Sequence, residues 1–286
     1  GFVDLLRRIG VYEGIPAKIL RSIRVIEAPS PERHDVGYRL RAALTELGPT
    51  FIKLGQLLST RPDLVGQEMA RELSRLQDQV SPESFEVMRP VIEEALGGPI
   101  EDTFREFPQE PVAAESLSQV YRARLKTGQT VAVKVQRPKA HARIRADLSL
   151  LRGAAEWAAE HSVDLGIMDP KGMVEEFERA ISRELDFMLE ARVIDRFRSN
   201  FEHNTFVFVP RTYPECCSST ILTMDWIDGV RVDAVERFPE RHCDPKVIAF
   251  RGCDVLCKQV FRDHLFHAEP HPGNILVTKN NQLEFL

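Results

Sequence analysis

Residues 116–136 read SLSQVYRARLKTGQTVAVKVQ, and the reading of this stretch decides the fold. Ser116 to Leu125 and Gln129 to Gln136 are two runs rich in alternating apolar residues. Lys126-Thr127-Gly128 between them supplies the glycine that a tight reversal favours, so the segment is expected to be a β-hairpin. Its second arm contains VAVK, which puts Lys134 inside an apolar strand pattern. An unpaired ammonium is costly to bury there. Alone, Lys134 reads as a strand-edge lysine with its tail in water; a carboxylate partner would change that reading.

Before the hairpin, residues 1 to about 100 read as helical. Leu40, Leu44 and Leu47 recur at helical spacing, and Gly48-Pro49 restarts the chain with proline in a first turn. GPTFIKLGQLLSTRPDLV (48–65) lays Phe51, Ile52, Leu54, Leu57 and Leu58 on a wide apolar stripe that Lys53 interrupts. Ser81-Pro82-Glu83-Ser84 opens a further helix, and Gly97-Gly98-Pro99 closes it.

After the hairpin, a long helical pattern runs from Lys171 to about Asn200. Val174, Phe177, Ile181, Leu185, Met188 and Phe197 lie on related faces of it. TFVFVPRTY (205–213) and STILTMDWI (219–227) return to strand, and residues 246–266 read as a helix. NILVTKNNQLEFL (274–286) reads as a closing hairpin with Asn280-Asn281 near its turn. The order is helices, then strands with one inserted long helix, then a helical lobe with a hairpin. That is an α+β arrangement in two lobes.

Composition narrows the function classes. The chain has 286 residues, 43% hydrophobic and 28% charged, enough for a substantial core and unlike a disordered segment. A net charge of −5 with both signs interspersed argues against nucleic acid as the main partner. Five cysteines without a regular framework suit a reducing compartment. Cys216, Cys217, Cys253 and Cys257 lack the convincing further ligands a zinc site needs and read as small buried apolar side chains. No stretch approaches the roughly 18 apolar residues that span a bilayer, and no signal-peptide pattern opens the chain. The start at Gly1 and the end inside Leu283-Glu284-Phe285-Leu286 read as cuts, so a parent protein could carry membrane anchors elsewhere. The expected location is cytoplasmic, with peripheral membrane association open, and organellar in a eukaryote.

Three pieces carry chemistry. Residues 113–120, AAESLSQV, stand where kinases have G-x-G-x-x-G-x-V ahead of the V-A-I-K lysine. The three glycine slots hold Ala113, Glu115 and Ser118, and Val120 fills the last. FHAEPHPGN (266–274) places Glu269 five residues before Asn274, the interval between carboxylate and metal-binding Asn in H-R-D-x-x-x-x-N. By itself it could equally be a turn with a capping Asn. RELDFMLEAR (183–192) crowds Glu184, Asp186 and Glu190 onto a helical run. These are either a solvated face paired with Arg183 and Arg192 or the source of a partner for Lys134.

Taken together, these pieces resemble the UbiB family of atypical protein-kinase-like proteins, tied to isoprenoid-quinone biosynthesis and homeostasis. The resemblance covers residue 37 to the end. It rests on KLGQ (Lys53 to Gln56), the alanine-rich loop, VAVKVQRP, ELDF, Glu190-Ala191 and HAEPHPGN. It implies an atypical kinase-like bilobal fold with a helical extension over 1–107, an N-lobe over 108–228 and the start of a C-lobe over 229–286. It implies ATP and Mg²⁺ as cofactors. Lys134 would orient the phosphates and pair with Glu190, Glu269 would be the catalytic carboxylate, and Asn274 would bind the metal. Ala113, Ala114, Glu115, Ser116 and Val120 would line the phosphate loop, and Met224, Asp225, Trp226 and Ile227 the hinge. Lys53 and Gln56 would meet Glu184 and Asp186 and occlude a protein-substrate groove. The D-F-G aspartate is expected directly after Leu286.

Two departures from the family stand out. Glu269 replaces the usual Asp, one methylene longer. Glu115 replaces a third alanine, a carboxylate that should repel a triphosphate unless it turns away or pairs with an arginine such as Arg122. The functional expectation is an ATPase or phosphotransferase supporting quinone biosynthesis, with a quinone-precursor lipid and quinone-biosynthesis proteins as partners. The alternatives are a small-molecule phosphotransferase and a non-catalytic nucleotide- or lipid-binding scaffold.

Overall fold

The computed structural model describes residues 36–76, 80–160, 169–265 and 274–285. Among the described residues four helices come first: α1 (Val36–Leu47), α2 (Pro49–Ser59), α3 (Pro62–Val65) and α4 (Gln67–Leu73). Then follow α5 (Phe85–Leu96), α6 (Ile100–Thr103), β1 (Phe104–Glu106), β2 (Ala113–Ala114), β3 (Ser118–Leu125) and β4 (Thr130–Gln136). Three helices come next: α7 (Ala140–Glu160), α8 (Pro170–Glu184) and α9 (Phe187–Asn200). The chain then forms β5 (Val207–Phe208), β6 (Ile221–Asp225), β7 (Val230–Arg231), α10 (Pro245–Lys258), β8 (Ile275–Thr278) and β9 (Gln282–Phe285). The fold is α+β.

The caps stand where the sequence places them. Pro49 occupies the first turn of α2, after Gly48 at φ 103°. Ser84 is the N-cap residue of α5, and Gly97 ends that helix in the left-handed region at φ 73°. Between β3 and β4 the Gly128 N–H reaches Leu125 O at 2.9 Å, and φ at Gly128 is 98°, the backbone a tight reversal asks of glycine.

Two compact units divide the chain. The first comprises Gly1–Pro82, Ala113–Ser118 and Arg137–Leu185. In it, Leu44, Ile52, Leu73 and Leu76 close one core among α1, α2 and α4. A second core joins Ile144 and Leu148 of α7 to Phe177 and Ile181 of α8, with Leu54 and Leu57 of α2 against them. The Thr50 hydroxyl donates to Asp147 at 2.5 Å and fixes α2 to α7.

The second unit comprises Glu83–Val112, Gln119–Gln136 and Asp186–Leu286. One of its sheets runs β1–β3–β4–β6. Val131, Val133 and Val135 alternate onto a face buried with Met88 and Ile92 of α5, while Lys134 faces the other way, opposite Leu222 of β6. The other sheet has the order β5–β9–β8–β7, with β5 parallel to β9. Val207, Val230, Val277, Leu283 and Phe285 pack there with Ile248 and Val255 of α10 and Phe197 of α9.

Three sequence expectations need correction. The continuous helical pattern over 171–200 is two helices, because Leu185 and Asp186 leave the helical path. The Asp186 carboxylate accepts from Leu189 N at 3.0 Å and starts α9 afresh. Helix α7 was not foreseen at all. Its apolar positions Ile144, Leu148, Leu151 and Ala155 do keep helical spacing, but among charges and alanines that make the stripe faint. Finally, Cys216 and Cys243 are buried, but Cys253 and Cys257 are exposed. They lie on the side of α10 away from Ile248 and Val255. No described helix is long and apolar enough to cross a membrane.

Glu284 is a buried carboxyl in the middle of β9, 9% exposed. Burial, with the Asp225 and Asp228 charges adding to it, pushes its pKa above the ordinary glutamate value. A raised folded-state pKa stabilises the fold below the unfolded value, and that stability is lost as pH rises through the folded one. Glu284→Gln should therefore raise Tm at neutral pH by a few degrees, with the gain vanishing below the ordinary glutamate pKa. Thermal melts of both proteins across this range check it.

Candidate functional site

The site grows from the face of β4 that carries Lys134. Its Nζ lies 2.9 Å and 3.1 Å from the two Glu190 carboxylate oxygens. The side chains are 19% and 32% exposed, so water screens the attraction less than at an open surface. Glu190 sits in the first turn of α9, placed there by the Asp186 cap. The Phe187 ring, on the same helix, lies under the ammonium with its centroid 5.0 Å from Nζ. The strand gives the cation, and a capped helix start gives the anion and the ring.

Strand β6 ends at the segment expected to form the hinge. Met224 and Asp225 pair with Ala132 and Val131 of β4, and Trp226 N donates to Thr130 O at 3.1 Å. The Asp225 carboxylate accepts from the Tyr213 hydroxyl at 2.8 Å and from Arg211 N at 3.0 Å. Burial and the Asp225 charge push the Tyr213 hydroxyl up to about 12, so it stays a donor. Arg122 stacks on the Trp226 ring at 5.1 Å, and Arg241 grips Asp228 with two bonds of 3.0 and 3.1 Å. Ile227 is buried. Val120 O accepts from Val112 N at 2.8 Å, which holds the start of β3. With the Asp225 side chain engaged, the backbone of this segment is what it can offer a flat ligand.

Ala113, Ala114, Glu115 and Ser116 belong to the first unit. The Glu115 carboxylate accepts from the Ser118 hydroxyl at 3.0 Å, and Glu115 N donates to Ser118 O at 2.8 Å. Arg137 Nε donates to Glu115 O at 2.8 Å. The turn 115–118 is thus tied through Ser118 and Arg137, not Arg122. In the same unit Lys53 Nζ lies 2.5 Å from Glu184 Oε1, and the Gln56 amide donates to Leu76 O at 3.4 Å. Asp186, in the second unit, is engaged in capping α9 and lies 3.9 Å from Arg192.

Asn274 is half-buried at the start of β8, while Glu269 lies outside the described residues. Among the described residues no group of three or more His, Cys, Asp or Glu side chains could hold a metal on its own. A magnesium ion does not need one, since it keeps phosphate oxygens and waters and takes only one or two protein ligands. Asn274 can offer such an ion one amide oxygen, whereas the Lys134 ammonium has no lone pair for a metal and could meet only phosphate oxygens.

The Lys134–Glu190 pair is partly buried, so its coupling should fall between a surface pair and a buried one, about 1–2 kcal/mol. Urea denaturation of Lys134→Met, Glu190→Gln and the double variant measures that coupling; the double variant should lose less stability than the sum of the two single losses, by about that amount.

Residues 75–286 match the ABC1 atypical kinase-like domain. The chain is 42% identical over 245 residues to the "Probable protein kinase UbiB" of Pseudomonas fluorescens, covering 86% of this chain and 46% of that protein. It is 39% identical over 264 residues to the protein of the same name in Sodalis glossinidius, covering 92% and 48%. The chain thus spans about half the length of the curated relatives it matches. A solved structure, Rv3197 of Mycobacterium tuberculosis in complex with erythromycin, superposes with a TM-score of 0.62 at 25% identity, covering 86% of this chain and 62% of that one. The family model takes in β3, β4, α9 and β6, the elements that carry Lys134, Glu190 and Met224–Asp225, and the chain belongs to the ABC1 atypical kinase-like family.

Proposed function

We propose that the chain binds ATP with Mg²⁺ and acts as an atypical kinase-like ATPase or phosphotransferase in isoprenoid-quinone biosynthesis of the ubiquinone type. The observation that carries this reading is the Lys134–Glu190 pair at 2.9 Å on β4 and α9. A lysine so held presents its charge in one direction, which suits phosphate oxygens, and costs little further ordering when they arrive. Asn274 contributes a hard oxygen for the metal, and the Met224–Ile227 backbone takes the base. When bound, ATP supplies the phosphoanhydride, and Mg²⁺ neutralises its charge. Glu269 serves as the carboxylate that orients or deprotonates an attacking hydroxyl or water. The quinone assignment is supported by the UbiB name of the relatives.

A second reading, a non-catalytic nucleotide- or lipid-binding scaffold, draws support from the longer Glu269 side chain and from Glu115, a carboxylate within the loop. Turnover separates the two.

The test uses the chain extended at its C-terminus by the homologous segment of the Pseudomonas fluorescens relative. Calorimetric titration should show MgATP binding, and Lys134→Met should weaken it by about tenfold or more, the loss of a charge-assisted contact. Steady-state phosphate release above background supports the catalytic reading; binding without turnover supports the scaffold. No binding in the unsubstituted protein rejects both nucleotide readings.

A further inference from the structure

We infer that Phe187 is a positioning residue for Lys134, holding the ammonium against Glu190 through the negative face of its ring. Phe187 is 2% exposed and opens α9 immediately after the Asp186 cap. It packs with Ala191 of the same helix and with Leu222 of β6. Leu222 is the residue directly opposite Lys134 across the β4–β6 ladder. The ring is therefore fixed by both elements that flank the lysine. Phe187 and Glu190 are three residues apart on α9, so ring and carboxylate approach one ammonium from one helix face.

A buried phenyl ring would fill this space whatever lay beside it, so packing alone is the competing account. The placement argues for more. The Nζ-to-centroid distance of 5.0 Å is within the range where the ring quadrupole attracts a cation, and the site is partly desolvated. Lysine has four rotatable bonds, and the Phe187 ring beside the ammonium narrows the swing of its head. This gives the aromatic of ELDF a role in the site that its position after the Asp cap does not by itself announce.

The experiment follows the chain as it is, by mass-spectrometric measurement of acetylation at Lys134 as a function of pH, with exposed Lys126 as the internal reference. Losing the quadrupole favours the neutral amine, so Phe187→Leu and Phe187→Met should speed Lys134 acetylation about two- to tenfold at fixed pH. Phe187→Tyr should restore the original rate. Replacement by pentafluorophenylalanine keeps the ring's shape and reverses its quadrupole, so it should act like leucine even if the leucine and methionine variants fail to fold. If the pentafluoro protein is acetylated like the original, the ring only packs and the inference is overturned.

The consequence for ligand binding rests on the nucleotide reading above. The same replacements should weaken MgATP binding in the extended chain by about the same factor. Altered acetylation with no MgATP binding even in the unsubstituted protein would leave the positioning role standing and reject the nucleotide reading. Intact binding with unaltered acetylation would do the reverse.

Discussion

An ammonium on the inner run of a β-strand must be matched, and the second unit is arranged around that requirement. Lys134 alternates away from Val131, Val133 and Val135, which means the apolar packing of β4 and the exposure of its charge to a partner are one fact. The partner has to come from an element crossing that face, and α9 is it. Glu190 stands in the first turn of α9, so the point where that helix starts is close to the lysine's partner. Asp186 ends the preceding helical path and starts α9 at that point. Carboxylates are also favoured in a helix's first turn, so Glu190 gains there from the backbone dipoles as well as from Lys134.

The break at Leu185–Asp186 also explains a split among the acidic residues of RELDFMLEAR. Glu184 is the last residue of α8 and pairs with Lys53 in the first unit, while Glu190 pairs with Lys134 in the second. Both lysines interrupt apolar patterns, one on a helix and one on a strand, and each meets a glutamate. Asp186 between them is used by the backbone. Three acidic residues in seven positions thus have three different duties, and composition or charge counting alone would not separate them.

Much of this was legible in the sequence. The 116–136 hairpin, the Gly48-Pro49 restart, the Gly97 stop and the closing hairpin all rest on local chemistry, where glycine, proline and alternation act over a few residues. Lys134 and Glu190 could be paired by resemblance, and their separation of 2.9 Å gives that pairing its geometry. What local reading missed depends on competition between local signals and their surroundings. Asp186 sits within an unbroken apolar period, so periodicity outvoted its capping tendency. Helix α7 hides its stripe among arginines and alanines, and only the packing of Ile144 and Leu148 on α8 reveals which side is inner. Phe187 looked like one more apolar residue because nothing in sequence says that a lysine 53 positions earlier stands over its ring.

The two units are woven from alternating pieces of chain. The backbone passes from one to the other five times, at 82–83, 112–113, 118–119, 136–137 and 185–186. No single cut, and no pair of cuts, releases either as a continuous segment. A gene fusion that moved Lys134 with its sheet would carry along stretches of the helical unit, and Glu190 would arrive only with the segment beyond Asp186. Such a topology resists modular shuffling: Lys134 and Glu190 stand on either side of the 137–185 stretch of the helical unit, so a segment that carries both carries that stretch as well.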